Sequence, residues 1–494
     1  TNINKASLSL IDFTTIGEKI YLSKKNRDNI MRFSYSQMNE IAEYYIDTLL
    51  SNAMVDNSLC VYLYNNYLLK DQVYIKYIKK EINYLIIDAL ESCSIAEIDF
   101  IDTLEENLKS LYMNFNKTRD YSVFNNIDTE YINKFIKSKV EYDDCIFKKV
   151  TLEDISLLPV NIDLNESSQL YNEMIDEICY KVIEIVKNGT SPRDISIISP
   201  INNIVLDYKI KRNLENNNIK VFNNKKDKRI IDYPYANALV VATCIFYGYM
   251  EFIKEEEFIN FIEIILNVNR IQAFKIYRNK DNYDEYLNIL EYINRKKDSN
   301  IKITEFLIQF YVDKMLVLKY GKNNVQVCKI IINESEVFTE NIELLNLDKN
   351  KEEIFIQALK TTINDYYSIS EIEELNNSDR VLITTPYAYI SSSLNRPIQL
   401  WVDIGSNAWN MKIEKDISNI IVLRKSFEEN KIYTDNIEEE YKKYYLYNMI
   451  YNLLVNSRQV YSFKSEYTVN GYIQESILYS VILKLLDKGE GQNE

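Results

Sequence analysis

The chain has 494 residues, 46% of them hydrophobic and 27% charged, with a net charge of −15 at pH 7. That length allows roughly three domains with substantial cores, and the acidic balance argues against a uniformly basic nucleic-acid surface; 225–229 and 295–297 read as solvated turns sooner than as local basic patches. No histidine is present, which excludes Ser-His-Asp, Cys-His and His-metal chemistry, and six cysteines without a C-x-x-C pair exclude a recognisable zinc framework.

Scattered cysteines suit a reducing cytoplasm, and no apolar run approaches the roughly 20 residues that span a bilayer. No signal peptide opens the chain. The expectation is a soluble cytoplasmic protein without membrane contact. None of the eight glycines has the spacing of G-x-x-x-x-G-K-[ST] or GxGxxG, so a phosphate cradle is not encoded in these residues.

In chain order, Leu8–Phe13 is apolar and 38–50 has helical periodicity. Leu59–Leu63 reads as a strand and Leu68–Lys80 as a helix. Leu85-Ile86-Ile87-Asp88 reads as a buried parallel strand that delivers a carboxylate to the carboxyl edge of a sheet. Ile95–Tyr112 reads as one helix, with Ile98, Ile101, Leu104, Leu108 and Leu111 on a single face. A helix over 168–187 stops at Asn188-Gly189. A strand at 195–198, a helix near 204–215 and a strand at 219–222 follow, a βαβ rhythm that implies a parallel sheet. The stretch 236–370 is almost wholly helical, including 252–268 and 303–316. Strand patterns return at 381–385, 398–404 and 459–463. The simplest account is a helical block inserted into an α/β domain.

This order of elements resembles a superfamily 1 DNA helicase of the UvrD/Rep/RecB kind. The Walker B pattern of that family, three apolar residues followed by D-E-x-Q, falls on Leu85, Ile86, Ile87 and Asp88, with Ala89 in place of the catalytic glutamate and Glu91 in place of the glutamine. The following Gln-containing motif falls on 116–127, where Tyr121 and Phe124 match aromatic or apolar positions. Pro192-Arg193-Asp194-Ile195 resembles a strand of the second RecA-like domain, and Val381–Thr385 resembles the strand leading into T-x-H-x-S-K-G-L-E, with Tyr387 near the histidine. Glu438–Phe463 resembles the last helix-strand unit; setting Tyr451 on its tyrosine puts Asn456 at the ATP-sensing arginine, and Arg458 lies two residues on. Thr1–Ala6 resembles the T-N-K-A-A segment that follows a P-loop helix.

The resemblance implies an α/β fold, helix-rich overall, of two RecA-like parallel-sheet domains. It divides the chain into 1–150 (first domain, incomplete, with a Walker B-like strand at 85–88), 151–235 with 371–494 (second domain) and 236–370 (helical insertion). It implies ATP and Mg²⁺ as cofactors if residues upstream of Thr1 supply a P-loop, with Asp88 on the metal. Asp88 read without the family is a structural strand-end carboxylate. The aromatics that would stack single-stranded DNA are Phe115, Tyr121, Phe124, Tyr387 and Tyr389, with Tyr112 and Trp401 nearby. Only the Mg²⁺ carboxylate of the four hydrolytic requirements is present, so no ATPase activity is expected of this chain as given. Three functions stay open: a divergent helicase-type DNA repair or recombination protein, a non-catalytic helicase-like scaffold for a protein partner or nuclease subunit, and a helical interaction protein without a nucleic-acid role.

Overall fold

Short runs of β-branched and aliphatic residues, bounded by polar turns and joined by helices, favour parallel pairing with both faces covered. Six such runs make one sheet in the computed structural model. The structure describes residues 2–118, 127–139, 147–201, 203–224, 230–279, 282–299, 301–342, 351–361, 378–392, 394–411, 413, 418–468 and 471–490. They divide into two compact units, one drawn from 1–51, 55–225 and 369–494 and the other from 226–368 with 52–54.

Among the described residues the first unit holds eight strands: β1 (Tyr84–Ile87), β2 (Ser110–Met113), β3 (Asn161–Ser168), β4 (Ile195–Ile198), β5 (Val221–Asn223), β6 (Val381–Thr384), β7 (Ile398–Trp401) and β8 (Gln459–Ser465). The last six form one all-parallel sheet in the order β3-β8-β7-β4-β6-β5. Ile197 of β4 sits opposite Ile383 on one side and Leu400 on the other. Strands more than 180 positions apart are therefore direct neighbours. One face packs Ile195, Ile197, Val381, Ile383 and Leu400 under the Tyr171–Lys187 and Ile204–Glu215 helices. The other packs Ile198, Leu382, Trp401 and Val460 against the Asp435–Leu454 and Ile477–Glu490 helices.

That second core continues through Ile87, Leu90, Ile98 and Ile101 to β1 and β2, which pair in parallel as a separate two-stranded sheet. Among the described residues, one face of this small sheet is covered by the core. Tyr84, Ile86 and Tyr112 are exposed on the other, which corrects the expectation of a strand buried on both sides.

Helices α1 (Asn2–Leu8), α2 (Ile16–Leu22), α3 (Asn29–Ser51), α4 (Asn57–Asn66) and α5 (Gln72–Glu81) precede β1, and α6 (Ile95–Glu105) follows it. Two expectations fail here. Leu59–Leu63 is helical, because Asp56 caps the Leu59 N–H and Leu59 is buried in the N-terminal core. The Ile95–Tyr112 helix stops at Glu105, and its last apolar positions cross into β2, where Leu111 pairs with Leu85. The start of α6 is fixed by a capping box between Ser94 and Glu97. Helices α2 and α3 touch at Gly17, whose N–H donates to Asn39 Oδ1 at 2.6 Å and where a Cβ would lie 2.0 Å from the Tyr35 carbonyl oxygen.

The second unit is helical. Its central Pro234–Tyr247 helix is buried from Ala236 to Phe246, with Pro at its start and Gly248 in the left-handed conformation at its end. A helix apolar on all sides must be surrounded, and Phe246 stacks on Phe306 at 4.4 Å while Phe258, Phe261 and Phe310 fill the same core. The run near 303–316 is an α-helix over Ile303–Phe310 that widens into a π-turn over Tyr311–Met315. Among the described residues, no helix of the protein is long and apolar enough to cross a membrane.

The Gly17 contact gives a test. Gly17→Ala is expected to destabilise the first unit by about 1–3 kcal/mol, because the backbone of α3 must move to admit the methyl group. Urea denaturation followed by circular dichroism checks this; an unchanged midpoint would show that the two helices are not in such close contact.

Candidate functional site

Parallel sheets present their ligands at the carboxyl ends of the strands. Here β4 runs out into Ser199-Pro200, β6 into Thr385-Pro386-Tyr387, and β7 into Val402-Asp403. The ladder holds one to three residues further than the strands, with the Ser199 N–H on the Thr384 carbonyl, Val402 on Ile198 and Ile404 on Phe463, each at 2.9 Å. These ends are therefore rigid. Thr385 caps the Pro386–Ser391 helix, its hydroxyl accepting from the Ala388 N–H at 3.3 Å. A crevice of about 380 Å³ opens there, lined by Pro200, Thr385, Tyr387, Trp409, Tyr445 and Met449.

The crevice wall is held from behind. The Trp409 indole N–H donates to the Val402 and Asp403 carbonyls, both at 3.1 Å, and its ring lies 5.7 Å from that of Trp401. Trp401 donates to Gln399 Oε1 at 2.8 Å, and Gln399 Nε2 donates to the Leu453 carbonyl at 2.6 Å. A chain of neutral hydrogen bonds thus ties the strand ends to the Asp435–Leu454 helix.

Asp403 has the most unusual electrostatics here. It is 5% exposed, its backbone is left-handed at φ 49°, and its Oδ1 is buried with no hydrogen-bond partner. Burial raises its carboxyl from the ordinary 3.8 to about 6, with Lys464 pulling weakly the other way. The Tyr171 phenol is pushed up by burial and, secondarily, by Asp403. Gly405 leaves room for Lys464, whose Cγ would lie 3.1 Å from an added Cβ.

Of the aromatics singled out in the sequence that fall among the described residues, Tyr387 alone lines the crevice and is partly exposed. Tyr389 is buried, its hydroxyl accepting from the Arg396 N–H at 2.7 Å and from Gln399 Nε2 at 3.4 Å, so it offers no ring face to a base. Arg396 is itself buried and spends its Nη1 on the carbonyls of Pro192, Ile195 and Arg380 at the amino ends of the strands. Phe115 packs its ring 5.3 Å from Phe147 at the edge of the apolar core. Trp401 is fully buried and Tyr112 exposed on β2. Tyr121 and Phe124 lie outside the described residues.

Asp88 is exposed at the carboxyl end of β1, where Asn114 Nδ2 donates to its Oδ1 at 3.0 Å. Ala89 next to it is left-handed, at φ 60°. Glu91 turns inward, where its Oε2 accepts from the Asn116 N–H at 3.1 Å. Mg²⁺ fits Asp88 only as a single carboxylate ligand, and among the described residues no group of three or more acidic or thiol side chains gathers around a metal position. The Asp435–Leu454 helix reaches the start of the 116–127 segment: Asn448 and Asn452 both donate to the Thr118 carbonyl, at 2.8 and 3.0 Å. Asn456 donates to Asn395 Oδ1 at 2.8 Å, and Arg458 lies exposed at the amino end of β8.

Asp403, Trp409, Thr385 and Met449 were not foreseen as site residues. For Asp403 the signal was available, since 398–403 is an apolar run ending in aspartate, as 85–88 is.

A raised carboxyl pKa means that the folded state holds its proton more tightly than the unfolded chain. The penalty is absent below about pH 4, grows as pH rises through 6 and is complete above it, on the order of 3 kcal/mol at about 1.4 kcal/mol per pH unit. Asp403→Asn is therefore expected to stabilise the protein at pH 8 and to leave it nearly unchanged at pH 4. Urea midpoints at the two pH values check this; equal effects at both would contradict it. Compared with protein-family models and with curated proteins, the chain gives no match.

Proposed function

We propose that this chain is a divergent UvrD-like helicase-family protein that acts on or around DNA in repair or recombination, binding single-stranded DNA without turning over ATP in the chain as given. The observation that carries the reading is the crevice at the carboxyl ends of β4, β6 and β7, where Tyr387 and the pinned Trp409 stand beside Thr385. The order of elements supports it: a six-stranded parallel sheet built from 161–223 and 381–465, segments that flank a helical unit in sequence, is compatible with the second RecA-like domain of that family. In this reading β1 and Asp88 belong to the first domain.

The chemistry assigned is binding by stacking, with little help from phosphate neutralisation. The net charge of −15 limits counterion release, so affinity is modest and its salt dependence shallow. Ala89 stands at the position of the water-orienting glutamate, and its methyl group cannot perform that step. A second reading, a helicase-like scaffold for a protein or nuclease partner, is favoured by the uncovered Tyr84, Ile86 and Tyr112 face.

Fluorescence anisotropy with a labelled oligothymidylate tests the first reading. Binding is expected, and Tyr387→Ala is expected to weaken it by roughly 5- to 150-fold, the worth of one stacked base. Absence of binding at low salt, or a Tyr387→Ala variant that binds as wild type, would favour the scaffold. Steady-state ATP turnover is expected to stay at background with and without the oligonucleotide; turnover lost in Asp88→Asn would overturn the non-catalytic assignment.

A further inference from the structure

Helix α3 spans 23 residues and is apolar on two opposite sides. Tyr35, Met38, Ile46 and Leu49 face the core formed with Phe13, Ile16, Ile20 and Leu59. On the other side Ile30, Phe33, Ile41 and Tyr44 are 80%, 64%, 69% and 74% exposed. A surface helix needs one apolar stripe to bind its own fold. A second, exposed stripe marks a contact with another molecule.

The spacing of that stripe identifies the molecule. At 100° per residue, positions 30, 33, 41 and 44 all fall within about 40° of Gln37 around the helix. Along the helix they are symmetric about Gln37: Phe33 and Ile41 lie four residues to either side, Ile30 and Tyr44 seven. A two-fold contact between identical chains requires such self-complementarity, each residue meeting the mirror-numbered position of the other copy. The charges agree. Lys24, Lys25, Arg27 and Asp28 in the link that precedes α3, with Arg32 early in the helix, make this end net positive, and Glu40, Glu43 and Asp47 make the second half of the helix negative. An antiparallel pair sets positive against negative at both ends, whereas a parallel pair sets like against like.

We propose that α3 is a homodimerisation helix that packs antiparallel on α3 of a second copy about a two-fold axis at Gln37. Ile30 then meets the partner's Tyr44 and Phe33 the partner's Ile41. Gln37 meets the partner's Gln37, whose amide both donates and accepts and so pairs with itself. A helix pair about 34 Å long makes a contact at the small end of the specific range, so the dimer is concentration-dependent. This inference does not rest on the DNA-binding reading.

Sedimentation velocity of the full chain between about 1 and 100 µM, a range suited to a small contact, is expected to show the average mass rising toward twice the monomer. Phe33→Glu and Ile41→Glu lie on the solvent side and are expected to keep the chain monomeric with an unchanged circular dichroism spectrum. Register is read by oxidation in a Cys60→Ser background: Q37C is expected to form a disulfide-linked dimer, and I30C, about 21 Å from its own copy in this arrangement, is not. A wild type that stays monomeric, glutamate variants that still dimerise, or I30C linking as readily as Q37C would each overturn the proposal.

Discussion

The parallel ladder through β8, β7, β4 and β6 is the constraint on which the rest of the first unit depends. Its backbone groups are covered on both faces, so an unpaired N–H or C=O there costs far more than one at the surface. The ladder therefore fixes the ends of strands that come from distant parts of the chain. Ser199, Thr385 and Asp403 share one edge because Ile198 pairs with Thr384 and with Trp401. Arg396 performs the matching task at the opposite edge, joining the starts of three segments through carbonyls.

Rigidity at the carboxyl edge explains how Asp403 survives. A carboxylate with a buried, unpartnered oxygen destabilises the fold, and a left-handed backbone at a non-glycine residue adds to that cost. Neighbouring structure must hold both, and Trp409 does so by bridging the Val402 and Asp403 carbonyls. Both edges carry a left-handed non-glycine residue, Asp403 here and Ala89 beside Asp88, and what separates them is the desolvation of the Asp403 carboxylate beside a crevice. At Asp88 the carboxylate is solvated and bonded to Asn114.

Much of the sheet was legible in the sequence, because β4, β6 and β7 are short apolar runs flanked by Pro or polar residues. β3 was not: Asn161–Ser168 is largely polar, and its place at the edge of the sheet comes from pairing with β8 rather than from its own hydrophobicity. Leu59–Leu63 misled because β-branched and aromatic residues suggest a strand until the Asp56 cap and the packing of Leu59 are taken into account. The aromatics were the least legible feature. Tyr387 and Tyr389 are two residues apart, yet a helical turn sends one to the crevice and the other inward to Arg396. The outward stripe of α3 was hidden because its inward face alone accounts for a helix.

The central claim is that 195–198, 381–384 and 398–401 are one cooperative sheet, although the helical unit interrupts them in sequence. Native-state amide hydrogen exchange along a urea series measures this directly. The account requires these three segments to lose protection together at one urea concentration, while 234–247 follows its own course. Separate loss of protection in 195–198 and 381–401 would contradict it.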